Sequence, residues 1–176
     1  MKKEHLEWLQ ANKACGSSIQ WIEENNIQSL ENAWYACERG NWLLWMAEKL
    51  KVDKRKLVLC AALYAHTVMQ YMEDPKSRNA VRIAFLWGRG KATDIELEKA
   101  SADAWIIALG ALAHNVADAA AWAAAWTTSG CAIGTADAVA LAISRITDKK
   151  PNQLRSTTII RKICTEDVIK KIKEIK

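Results

Sequence analysis

Between Ala100 and Ala142 the chain carries 18 alanines in 43 residues, interrupted by Trp105, Trp122 and Trp126 and by few polar side chains. Alanine has the highest helix propensity and almost no side chain, so such a run forms helices that neighbouring helices can approach closely. The tryptophans supply the large surfaces that hold such packing together. A run of this kind has little strand propensity and leaves few options other than packed helices.

The rest of the chain agrees. Its 176 residues are enough to bury a core without covalent staples, and 51% are hydrophobic. Two prolines and seven glycines leave little material for linkers. The expectation is an all-α fold: one compact domain over 1–176, an array of about eight to ten helices with closely packed alanine-rich helices at its centre. A helical core is expected over 52–145, with the C-terminal helices of 148–176 packing back on it.

Turn and cap residues divide the chain. A short amphipathic helix is expected over Lys3–Lys13, stopped near Gly16, with Ser17 or Ser18 capping the next turn. Ser29 can cap a helix that Gly40 closes, and Asn41 can cap another. Asp53 opens an all-round apolar helix, KLVLCAALYAHTVMQYM, that Pro75 ends, and His66 within it reads as a core histidine. Ser77 can cap RNAVRIAFLW, which Gly88 and Gly90 stop. Thr93 with Glu96 forms a capping box for the alanine-rich helix, which should break near Thr127–Gly130. Gly130 and Gly134 then mark a close helix crossing. Asp148 and Pro151 begin a helix to Cys164, and Thr165 caps the last one.

No secretory signal or membrane span stands in the sequence. The start MKKEHLEWLQ lacks an apolar run, and the most apolar window, 104–117, is shorter than the roughly 20 residues a span needs. Five scattered cysteines without a CxxC pair make neither a disulfide framework nor a zinc site; Cys37, Cys60 and Cys131 read as small buried hydrophobes. A cytoplasmic protein is expected, with no metal and no cofactor.

Several segments in order carry a resemblance. They are CGSSIQWI, LENAWYACERGNWLLWMAEKL, VDKRKLVLCAALYAHTV and PKSRNAVRIAFLWGRGKAT, then the alanine-rich run and an IIRKIC close. Together, over residues 15–164, they resemble a family of alanine-rich helical immunity proteins of bacteria and bacteriophages, the immunity-protein-5-like group. The Trp34–Trp45 block and the Pro75–Thr93 segment with its W-G-R-G-K-A-T ending are the most specific parts. The resemblance implies an all-α fold and a role in conflict between bacteria, their toxins or their phages. It carries over no catalytic or ligand residues. Family members often have long Ala-Tyr-Asp repeats, where this chain has tryptophans, glycines and few aspartates.

Charge alternates along the chain: −3 over residues 1–48, +7 over 49–93, −4 over 94–147 and +5 over 148–176. Folding can set the two positive stretches side by side, which permits an anionic partner. On the helix after Pro75, a rotation of about 100° per residue puts Arg78, Arg82 and Arg89 within about 40° of one another, around Phe85, with Lys91 just beyond. Guanidinium forks bind phosphates in pairs and stack on rings, so the row suits a nucleotide or an acidic protein surface; a solvated helix face is the plainer reading. Lys54, Arg55 and Lys56 sit in a first turn where positive charge opposes the helix dipole, so an internal acid or an external anion should answer them. His114 and Asp118, one turn apart, suit either a satisfied polar stripe or a ligand or acid–base pair. Trp42, Trp45 and Trp126, beside expected turns, are candidate interface anchors.

These residues support three readings. The first is a non-enzymatic binding protein of immunity or phage anti-defence type that occludes a toxin or defence effector. The second is a sequestering module for an anionic nucleotide on the face of Arg78, Arg82 and Arg89. The third is an enzyme using His114 and Asp118. A pI near 9.0 also fits nucleic acid, but no nucleic-acid motif accompanies it. The sequence leaves the oligomeric state open, a homo-oligomer included.

Overall fold

The computed structural model describes residues 1–110, 126, 134, 135, 138, 139 and 150–175. Among them the chain is helical, with no strand. Among the described residues eight α-helices can be traced, in chain order: α1 (Lys3–Ala11), α2 (Gly16–Glu24), α3 (Leu30–Ala36), α4 (Gly40–Lys49), α5 (Lys54–His66), α6 (Pro75–Gly88), α7 (Asp94–Gly110) and α8 (Lys150–Lys173). A 3-10 turn, Met69–Tyr71, joins α5 to α6. None of the described helices is long and apolar enough to cross a membrane.

Helix α5 is the centre. Leu57, Val58, Cys60, Ala61, Ala62, Tyr64 and Ala65 are all buried, as an all-round apolar helix requires. Helix α6 packs against both α5 and α7, and α8 lies across α3, α4 and α5. Polar contacts show that neighbours run antiparallel. Arg55 of α5 meets Trp87 of α6, while Lys76 and Asp103 (3.4 Å) and Trp87 and Asp94 (2.6 Å) join opposite ends of α6 and α7. On α7 the buried alanines Ala100, Ala104 and Ala108 recur every four residues, so its packed seam is made of small side chains.

The structure corrects several helix boundaries. Gly16 and Gly40 open α2 and α4 instead of closing the helices before them. Neither α2 nor α4 has a side-chain cap: Ser18 donates to the Cys15 carbonyl, and the Asn41 amide oxygen accepts from Trp42 within the first turn. The stops lie elsewhere, in a shared geometry. Lys13, Asn26, Lys51 and Gly90 have positive φ (58°, 52°, 56° and 70°). After each, a backbone N–H bonds to the carbonyl five residues back: Ala14 to Leu9, Ile27 to Ile22, Val52 to Ala47 and Lys91 to Leu86. This is the Schellman ending, and at three of its four sites a non-glycine residue holds the left-handed position.

Pro75 does not end α5, which stops at His66; it opens α6, capped by the Asp74 carboxylate on the Lys76 N–H at 2.7 Å. Ser77 is therefore inside α6 and buried, its hydroxyl without a hydrogen-bond partner. With α5 ending early, His66 is exposed and not a core histidine. The expected break before Thr165 is absent: α8 runs continuously, and the Thr165 hydroxyl accepts from the Trp34 indole at 2.9 Å instead of capping a helix. The caps at Ser29, Asp53 and Thr93–Glu96 form as expected. Gly134 meets Trp126, whose ring would lie 2.7 Å from an added Cβ. Gly130, Cys131 and the expected break at Thr127–Gly130 lie outside the described residues.

Two outcomes follow from these contacts. A Cβ at Gly88 would lie 2.8 Å from Leu59 Cβ and 3.0 Å from the Arg55 carbonyl, so Gly88→Ala should destabilise the fold by roughly 1–3 kcal/mol through overpacking of α5 on α6, read by chemical denaturation. The second concerns His5, whose Nδ1 accepts from the Leu30 N–H at 3.2 Å. Burial pushes its pKa below 6.5; Glu4 opposes the shift and Lys2 adds to it. The depressed value means that the unfolded chain takes up the proton first. His5 therefore contributes stability that is fully present above pH 6.5 and lost as pH falls through the folded value. The melting temperature of the wild type should fall more steeply between pH 7 and pH 5 than that of His5→Gln, and parallel curves would refute the assignment.

Candidate functional site

The early end of α5 opens a groove against α6. Its wall from α5 is Ala62, Leu63 and His66, and the 3-10 turn adds Met69. From α6 come Arg78, Asn79, Val81, Arg82 and Phe85, a spacing of one, two, one and three that lies along one helical face. The groove encloses about 740 Å³, the size range of small-ligand sites. Its interior is apolar (Ala62, Leu63, Met69, Val81 and Phe85), and among the described residues no acidic side chain lines it.

The arginines are exposed and lightly tied. Arg78 donates through Nη1 to the Met72 carbonyl, and Arg82 donates through Nη2 to Asn79 Oδ1 at 3.0 Å. A guanidinium has five N–H donors, so each keeps several for an anion. Arg89, the C-cap of α6, stacks on Phe85 with its Cζ 5.5 Å from the ring centroid, which places it at the edge of the groove and not inside it. Lys91 is exposed and outside the lining. Glu96 of α7 lies close enough to Arg82 to feel its charge. Its carboxylate accepts from the Thr93 backbone and hydroxyl, which holds its pKa low, and Arg82 adds to that effect.

The other sequence candidates are used differently. Arg55 donates through Nη1 to the Trp87 carbonyl at 2.9 Å and stacks over the Trp87 ring at 4.7 Å, so it joins α5 to α6. Lys56 pairs with Asp167 of α8 at 2.7 Å, an interaction that raises the lysine pKa. Lys54 and Arg55 are both exposed, but of the two it is Arg55 that is tied to α6. Internal partners thus answer most of the charge at the start of α5.

Trp42 and Trp45 are half-buried and packed edge-on, Trp42 against Trp21 and Trp45 against Trp8, each at 5.8 Å, while Arg39 covers Trp42 at 4.2 Å. With Trp21 they line a second, smaller cavity of about 240 Å³, whose polar lining includes Lys13, Cys15, Ser18 and Asn41. Trp126 packs edge-on to Trp105 at 4.8 Å. His114 and Asp118 lie outside the described residues, and among those described no cluster could hold a metal ion.

Sequence reasoning found the arginine face and Phe85 but missed the opposite wall, Leu63, His66 and Met69. The available signal was Asp74-Pro75, a cap followed by proline at the first helical position, which moves the helix start and frees His66. No family model, curated protein or solved structure matches the chain.

The division of labour among the basic residues is measurable. Arg55→Ala removes a charge-assisted hydrogen bond and a cation–π contact and should cost roughly 1–2 kcal/mol of stability. Lys54→Ala and Lys91→Ala should stay within about 0.5 kcal/mol in the same denaturation series.

Proposed function

We propose that this protein works by binding rather than by bond-making chemistry, and that it sequesters a small anionic ligand of the nucleotide class in the groove between α5 and α6. The observation that carries the reading is one apolar groove with two lightly committed arginines, an exposed histidine and, among the described residues, no acid on its walls. Phosphate oxygens would meet Arg78, Arg82 and His66, and a flat base would lie against Phe85, Leu63 and Met69. A phosphate alone would leave the apolar walls unused, and an uncharged ring would leave the arginines unanswered.

A second reading has its own observation. On α7, Ile95, Ile106 and Leu109 are 78%, 65% and 72% exposed and fall within about 60° of one helical face. Such a stripe suits a protein partner, and a toxin or defence effector is the class that the immunity-family resemblance implies. Basic residues on the neighbouring helix would then steer an acidic partner toward it.

Titration calorimetry against nucleoside mono- and diphosphates and cyclic dinucleotides separates the two. The nucleotide reading expects saturable binding that weakens with salt. Arg82→Glu should reduce it by about 10-fold or more, the loss of one charge-assisted hydrogen bond, with little change in melting temperature. Phe85→Ala should weaken nucleotide binding while leaving inorganic pyrophosphate binding nearly unchanged. No binding by any of these nucleotides at millimolar concentration overturns the reading. Capture of a bacterial protein at fixed stoichiometry, abolished by Ile106→Asp and Leu109→Asp, would establish the second.

A further inference from the structure

Cys60 in α5 and Cys164 in α8 are separated by 104 positions, yet their sulfurs lie 3.5 Å apart, both fully buried. The two helices meet there in a defined register: one turn away on each, Lys56 and Asp167 close an ion pair on the same antiparallel crossing. Both thiols are free, and their contact is with each other.

We propose that Cys60 and Cys164 are a redox latch, oxidised by peroxide to a disulfide that ties the last helix to the central one. The chemistry balances with hydrogen peroxide as the two-electron oxidant. One thiolate attacks a peroxide oxygen, the O–O bond breaks, and a sulfenic acid and one water result. The other sulfur then attacks the sulfenic sulfur, the S–O bond breaks, and a second water leaves as the S–S bond forms. Two thiols have lost two electrons and two protons to one peroxide. Contact with its neighbour and burial both push the Cys60 thiol well above its ordinary pKa, so thiolate forms when α8 lifts from α5. The latch is therefore slow in the closed protein and set during opening. Once made, it closes a long loop and restrains the opened chain.

The test treats the full chain with hydrogen peroxide a few degrees below its melting temperature and maps peptides without reduction. The expected product is one linked peptide pair, Cys60 to Cys164, lighter by two hydrogens. The melting temperature should rise by roughly 10 °C, the scale expected for a disulfide across a loop of this length, and return on addition of dithiothreitol. Cys164→Ala, which leaves the other cysteines in place, should show no such rise. Three results overturn the proposal: separate oxidation of the two sulfurs to sulfinic acids, a linked product whose melting temperature is unchanged or lower, or a gain that persists in Cys164→Ala.

Discussion

Trp34 is completely buried, so its indole N–H has to find an acceptor inside the protein, and that acceptor is the hydroxyl of Thr165, 131 positions along the chain. An unmet N–H there would cost about 1–3 kcal/mol. One turn earlier on α8, Arg161 donates to the carbonyls of Trp34 and Cys37, where α3 ends and its carbonyls lack helical partners. Helix α3 has only seven residues and could not persist alone. Its start is held by Ser29 and by the His5 imidazole on the Leu30 N–H, and its end by a residue from the far end of the chain. Once Arg161 and Thr165 are seated, the pitch of α8 carries Cys164 and Asp167 onto α5, and Val168 and Ile172 into the core.

Helix α6 inherits its position from that arrangement. It packs on α5, which α8 holds, and carries α7 on its other contacts. The approach to α5 is close because Gly88 lies over Leu59, and Arg55 fastens the same end through the Trp87 carbonyl and ring. The opposite end holds the groove. There α5 stops at His66, and the chain turns through Met69–Tyr71 before α6 begins. Tight packing at one end and a short connection at the other together make the candidate site.

The contrast among the arginines has a single physical origin. Arg55 is spent on the fold because its guanidinium reaches both a carbonyl and a ring on α6. Among the described residues Arg78 and Arg82 reach a turn carbonyl and a neighbouring amide oxygen, and no acid in the groove neutralises their charge. Positive charge left beside an apolar surface is a binding resource for an anion with an apolar part.

The sequence by itself determined the helical class, because alanine-rich periodic segments offer no alternative ladder for the backbone. It also determined the central place of α5, apolar on every side, and three caps whose side chains act within three residues: Ser29, Asp53 and Thr93 with Glu96. The buried and exposed sides of α6 were legible for the same reason, since helical pitch alone separates Ala80, Ile83, Ala84 and Trp87 from Arg78 and Arg82. What local pattern could not supply was any partner distant in the chain. Helix ends were misplaced where lysine or asparagine took the left-handed position that glycine favours, because buried contacts beyond the turn, at Ile27 and Val52, hold that backbone. Thr165 reads as a cap until an indole arrives from α3, and His66 reads as core until α5 ends beside it. The fate of each arginine, structural or free, was likewise a tertiary matter. It depends on which carbonyl, ring or carboxylate the packing of α5 through α8 brings within reach, and helical pitch says only which way a side chain leaves its own helix.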